Sequence, residues 1–179
     1  MLRRIRKSRP LALALISSVL LGVTAVLAVA VAAAPSDDLQ ALKAATARYH
    51  SFEQAEKDGY TVVGEPCVAA PPGTMGIHAI NPALLADPAI DPLHPEMLLY
   101  LPTGNGKLEL VGVEYLRFDA DGDLTTDDDR PSLFGQPFDG PMEGHTPTMP
   151  AHYDLHVWLW KDNPSGLFAM FNPSLTCPS

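Results

Sequence analysis

The segment His152-Tyr-Asp-Leu-His-Val-Trp-Leu-Trp160 gathers the side chains best suited to chemistry. As a strand it places His152, Asp154, His156, Trp158 and Trp160 on one face and Tyr153, Leu155, Val157 and Leu159 on the other, because side chains alternate along extended backbone. The second face is ordinary core. The first joins two imidazoles, a carboxylate and two indoles, a set suited to holding a metal ion or small ligand, with Trp158 and Trp160 as an apolar wall. Glu114 repeats the theme in the row Leu108, Leu110, Gly112, Glu114, Leu116, Phe118, where it is the one charged group. A carboxylate buried there needs a cation, a hydrogen-bond network or a proton, since bare charge is costly to bury. The alternative turns Val111, Val113 and Tyr115 toward the core and leaves Glu114 solvated.

His78, in Met75-Gly-Ile-His-Ala-Ile80, shares its face with Gly76 and Ile80. Taken singly it reads as a core histidine. With Glu114 and His156, it completes a set of two imidazoles and one carboxylate that suits zinc, iron, manganese or copper. His152 and His156 would stand ~13 Å apart on a regular strand, so His152 joins the same ion only if the chain bends near Pro150. His145, in Gly144-His-Thr-Pro147, is a loop histidine that could close over the site as a further ligand. Asp154, on the same face as His156, is placed to orient its imidazole. His50 and His94 read as surface residues.

The run Asp119-Ala-Asp-Gly-Asp123, followed by Asp127-Asp-Asp129, is similar to a calcium loop but departs from its rules. Such a loop needs glycine at its sixth place and glutamate at its twelfth, where this chain has Leu124 and Arg130. A solvated acidic loop is the better reading. No G-x-S-x-G, phosphate-binding glycine loop or H-E-x-x-H occurs.

The elements that must position these residues follow from periodicity. Ser36, as N-cap ahead of Asp37 and Asp38, starts a helix carrying Leu39, Leu42, Ala45, Tyr49 and Phe52 at helical spacing, and Gly59 ends it. Four strands follow, at Met75–Ile80, Glu96–Leu101, Lys107–Phe118 and Tyr153–Trp160. Pro102-Thr-Gly-Asn-Gly-Lys107 makes the second and third a hairpin, and Asn81–Ala86 makes a helical turn. Asp119–Pro150, with its five spaced prolines, excludes regular structure, while Leu133, Phe134, Phe138, Met142 and Met149 anchor it as a lid over one end of the sheet. The expected class is α+β, an N-terminal helix packed on a curved antiparallel sheet with a long proline-rich loop.

The N-terminus sets the compartment. Arg3, Arg4, Arg6, Lys7 and Arg9 precede an uncharged apolar run from Leu11 to Ala34, the pattern of an export signal. Ala30-Val31-Ala32 offers a cleavage site, giving a signal peptide over 1–32 and one exported domain over 33–179. The run also reaches the ~20 residues needed to span a bilayer, so an uncleaved anchor is the alternative. Beyond the leader, 7 basic residues face 21 acidic ones, a net charge of −14. That charge argues against nucleic acid and against anionic membrane, leaving the N-terminal segment, if uncleaved, as the only membrane contact. In an oxidising compartment Cys67 and Cys177 are expected to form a disulfide.

Thr74-Met-Gly-Ile-His78, Gly112-Val-Glu-Tyr115, Leu133–Pro141 and His152–Trp160 together resemble a group of exported bacterial proteins that share G-M-G-x-H, G-V-E-Y and H-Y-x-L-H-x-W-x-W. The resemblance covers most of the chain beyond the leader and implies no activity. From the residues, the leading expectation is an extracytoplasmic metal- or small-ligand-binding domain. A metal-dependent enzyme is the second, and a non-catalytic interaction module with structural histidines the third.

Overall fold

The computed structural model describes residues 35–62 and 67–178, so the expected signal peptide, its cleavage site and the anchor alternative lie outside the described residues. Among the described residues no helix is long and apolar enough to cross a membrane.

The helical region is broken rather than continuous: α1 (Pro35–Thr46), a 3-10 turn (Ala47–His50) and α2 (Phe52–Lys57). Thr46 Oγ1 donates to the Leu42 carbonyl, a back-bond that competes with regular helix. Ser51 then turns extended and its side chain accepts from Gln54 N, capping α2. Past α2, Tyr60 N bonds Ala55 O and Gly59 N bonds Glu56 O, with Gly59 at φ 96°, so glycine terminates the helix by the expected αL route.

The strands are β1 (Thr61–Val62), β2 (Val68–Ala70), β3 (Gly73–Ile80), β4 (Met97–Pro102), β5 (Leu108–Phe118), β6 (Ser132–Leu133), β7 (Gln136–Pro137), β8 (Asp139–Met142) and β9 (His152–Val157). A short helix, α3 (Pro82–Leu85), follows β3 with Asn81 capping it. The main sheet runs β1-β3-β4-β5-β9-β8, antiparallel at every pairing, with β2 also on β3. The class is α+β, as expected. Gly76 makes the β3–β4 approach sterically feasible, since a Cβ there would lie 2.5 Å from the Tyr100 carbonyl oxygen.

One face of the sheet carries the main core. Ile77, Ala79, Leu98, Tyr100, Val113, Tyr115, Tyr153 and Leu155 pack there with Leu42, Tyr49 and Ala55 from the helices. A bulge between Leu99 and Tyr100 shifts the β4–β5 register, so that Leu99 faces Gly112 while Tyr100 faces Leu110. This extra residue reverses the alternation along β5. Leu110 therefore belongs to the helix-side core, whereas Glu114 lies on the opposite face, correcting the single row expected for Leu108 through Phe118.

Two further expectations are corrected. Asp119–Pro150 is not free of regular structure: β6 and β7 form a hairpin, and β8 joins the sheet as the outer partner of β9. Proline is tolerated on such an edge, where one side of the strand needs no partner. Phe134 and Phe138 anchor the segment as foreseen, but in the helix-side core. Strand β9 ends at Val157, three residues early, because Trp158 N turns to bond Leu167 O. Cys67 and Cys177 are bonded, with Cα atoms 5.9 Å apart across a separation of 110 residues, tying the start of β2 to the C-terminal tail.

Candidate metal centre

Register brings the trio together. Ile80, Met97, Glu114 and His156 form one row across β3, β4, β5 and β9, and His78, Leu99 and Gly112 form the next row on the same face. Glu114 and His156 are direct cross-strand partners, with Cβ atoms expected ~5 Å apart. His78 reaches Glu114 from two strands away and one row down, over Met97 and Leu99, which only long side chains could do.

Their polar tips meet. His78 Nε2 is 3.1 Å from Glu114 Oε2, and His156 Nε2 is 3.6 Å from the same oxygen. All three candidate ligand atoms lie within 4.8 Å of one another. A zinc-sized ion bound at ~2.0–2.2 Å holds its ligand atoms roughly 3–4 Å apart, so only small side-chain adjustments separate this arrangement from a coordinating one. Glu114 and His156 are almost fully buried, with 4% and 1% of their side chains exposed, while His78 keeps 17%.

Burial sharpens the chemistry. Glu114 Oε2 and both ring nitrogens of His156 have no hydrogen-bond partner among the described residues. Buried polar atoms are nearly always satisfied, and two of these orphans, Glu114 Oε2 and His156 Nε2, face each other beside His78 Nε2 in a group that could hold a metal ion. Burial pushes the Glu114 carboxyl up, but the His156 and His78 imidazoles more than offset it and hold the group down at about 2. For His156, burial lowers the pKa, yet Glu114 and then Asp154 raise it above the ordinary histidine value.

Asp154 Oδ1 lies 3.5 Å from His156 Nδ1, the side of the ring turned away from Glu114. The other ring nitrogen, Nε2, is the one that faces Glu114. Trp158 lines the site, its ring stacked against His156 at 6.4 Å between centroids and held by an Nε1 bond to the Ala169 carbonyl. Trp160 does not. With β9 ended at Val157, Trp160 N bonds Val111 O and the indole packs on the helix-side core, 4.3 Å from the His50 ring with Lys43 over its face.

The other two candidate ligands form a separate pair. His152 sits opposite Phe118, four residues along a regular strand from His156, so the bend at Pro150 does not return it to the trio. Its ring is buried 4.8 Å from that of exposed His145, its Nδ1 is 3.4 Å from the Pro150 carbonyl, and burial together with His145 lowers its pKa. Asp139, opposite Asp154 on β8, was missed by sequence reasoning. Burial and Asp154 raise its pKa, and no periodicity in the proline-rich segment marked it.

In the acidic loop, carboxylates cap the local turns: Asp119 accepts from Gly122 N, Asp121 from Asp123 N and Asp123 from Thr125 N. Fold and site together define an α+β domain with a buried two-histidine, one-carboxylate cluster on the sheet face opposite its helices. The chain matches no family model, no curated protein and no solved structure.

Proposed function

We propose that this chain is an extracytoplasmic metal-binding protein whose ion is held by His78 Nε2, Glu114 Oε2 and His156 Nε2. The observation that carries this reading is the convergence of three orphaned or ion-paired ligand atoms within 4.8 Å in a buried site. The donor set of two imidazoles and a carboxylate suits zinc, iron, manganese or copper and disfavours calcium, which prefers oxygen ligands. Export is supported by the basic and apolar N-terminus and by the Cys67–Cys177 bond, which persists in oxidising compartments. The proposal extends to the exported bacterial proteins this chain resembles, because three of the shared sequence patterns each supply one member of the trio.

The test is elemental analysis of protein purified without an affinity tag, followed by titration of metal-stripped protein. One equivalent of a first-row divalent metal per chain, lost in His156→Ala, is the expected result. A folded parent protein that neither retains nor takes up metal would return the trio to a purely structural role.

A second reading, a metal-dependent enzyme, draws on one observation. Three protein ligands leave a coordination position open, and His78 is the partly exposed member through which a substrate would approach. Turnover by metal-loaded protein that disappears in Glu114→Gln would establish it.

A further inference from the structure

A second pair of imidazoles lies at the far end of β9, outside the trio. The row Phe118, His152, Met142 crosses β5, β9 and β8 on the face that also carries Asp154 and His156. His152 stands ~13 Å from His156 along a regular strand, so one ion cannot touch both. His152 is completely buried, yet its Nε2 has no hydrogen-bond partner among the described residues. A buried polar atom left without a partner is rare enough to require an explanation.

The lone pair on that atom is already fixed. His152 Nδ1 lies 3.4 Å from the Pro150 carbonyl oxygen, which only accepts, and this assigns the ring proton to Nδ1 and leaves Nε2 bare. A backbone carbonyl holding one ring nitrogen commonly sets the other as the metal-binding atom.

The chain then brings up a second imidazole. Between β8 and β9 the loop folds tightly on itself: Met149 N donates to Thr146 O at 3.1 Å, and Gly144 lies so close to the Met149 carbonyl that no Cβ fits between them. The ring of His145, within this loop, stands edge-on to that of His152 with centroids 4.8 Å apart. Two imidazoles sharing one ion at ~2.0–2.1 Å per nitrogen hold their centroids roughly 5–6 Å apart, so a small swing of exposed His145 suffices. Met142, directly opposite His152 on β8, brings a thioether to the same place, because facing residues of an antiparallel pair have Cβ atoms ~5 Å apart on one side of the sheet.

Donor type selects the ion. Two imidazoles and a thioether are softer than the trio with its carboxylate, and no Asp or Glu forms an ion pair with His145 or His152 among the described residues. Thioether sulfur favours monovalent copper, whereas zinc seeks four ligands drawn from nitrogen, thiolate and carboxylate. We infer that His145, His152 Nε2 and Met142 form a second metal site, selective for monovalent copper, in which buried His152 is the fixed ligand and exposed His145 closes from solvent.

The test is titration of disulfide-intact, zinc-loaded protein with silver nitrate in chloride-free buffer, silver(I) standing in for copper(I) without redox chemistry. Binding is read by calorimetry and by NMR of methionine methyls and histidine rings. The expected result is one equivalent bound, with shifts at Met142, His145 and His152 and none at His78 or His156. His145→Ala, at an exposed position that leaves the core intact, should weaken silver by about tenfold or more, since even groups outside a ligand set change metal affinity by about 10–100-fold. Met142→Leu, of similar size, should also weaken silver while leaving zinc unchanged. Shifts at Met142 support the site whether or not the trio takes up zinc. Absence of saturable silver binding, shifts confined to His78 and His156, undiminished affinity in His145→Ala, or displacement of silver by equimolar zinc would each overturn the inference.

Discussion

The two faces of the central sheet treat most of their buried polar side chains differently, with Trp160 Nε1 the unpartnered exception in the helix-side core. On the helix side, Tyr60, Tyr100, Tyr115 and Tyr153 are all fully buried rings, and each hydroxyl donates to a partner: Pro95 O, Tyr49 O, Pro92 O and Asp129 Oδ1. On the other side, Glu114 Oε2, both nitrogens of His156, Asp154 Oδ1 and His152 Nε2 are buried with no hydrogen-bond partner among the described residues. One chain that satisfies four tyrosines yet leaves a line of carboxylates and imidazoles unsatisfied has not failed at packing. The satisfied tyrosines tie the fold together, and the unsatisfied cluster includes the group that could hold a metal ion.

Substitutions separate these roles. Leu98, fully buried on the helix side, should cost about 2–5 kcal/mol when changed to alanine, measured by urea unfolding, because the core loses contacts and gains a void. Metal stoichiometry of the folded variant should be unchanged. If instead Leu98→Ala removed metal binding at full folding, the two faces would not be separable.

Glu96 gives the pH dependence of the helix side. Its folded pKa of about 7 lies above the ordinary 4.5, so the folded state holds this proton more tightly. The associated stability is fully present below pH 4.5 and is lost as pH rises through about 7, a swing of about 3 kcal/mol. Urea unfolding of Glu96→Gln should lack that swing, making the variant the more stable protein at pH 8.

Replacing the trio together, as His78→Leu, Glu114→Met and His156→Leu, should remove metal binding while leaving metal-free stability equal or raising it by about 1–4 kcal/mol. Apolar side chains of similar volume carry no desolvation cost. A large loss of stability would mean that the trio holds the fold rather than an ion.

Asp154→Asn makes the finest cut. It keeps the size of the side chain but removes the charge 3.5 Å from His156 Nδ1, so metal affinity should fall by about 10–100-fold with the stoichiometry intact. An unchanged affinity would detach Asp154 from the site.

Much of this could be read from the chain alone, for identifiable reasons. β3, β4 and β5 announced themselves as short β-type runs punctuated by proline and glycine, and Gly104 and Gly106 marked the turn that pairs β4 with β5. His78, Glu114 and His156 stood out because each is a polar group among apolar neighbours. The bulge at Val111 was invisible, since one unpaired residue leaves no compositional trace, yet it decides that Leu110 and Glu114 face opposite ways. Trp160 was misplaced because alternation persists in the sequence after the strand has ended at Val157. The break at Ser51 and the pairing of β8 with β9 were likewise set by tertiary partners rather than by local pattern.

The central claim is that one ion binds where His78, Glu114 and His156 converge. X-ray absorption at the metal edge of zinc-loaded protein, repeated on a variant lacking both histidines, tests it most directly. The account predicts a first shell containing two imidazole nitrogens and one carboxylate oxygen at ~2.0–2.2 Å, with the imidazole scattering gone in a His78→Ala/His156→Ala double variant. A shell of oxygens alone, or an imidazole signal that survives in the double variant, would contradict it.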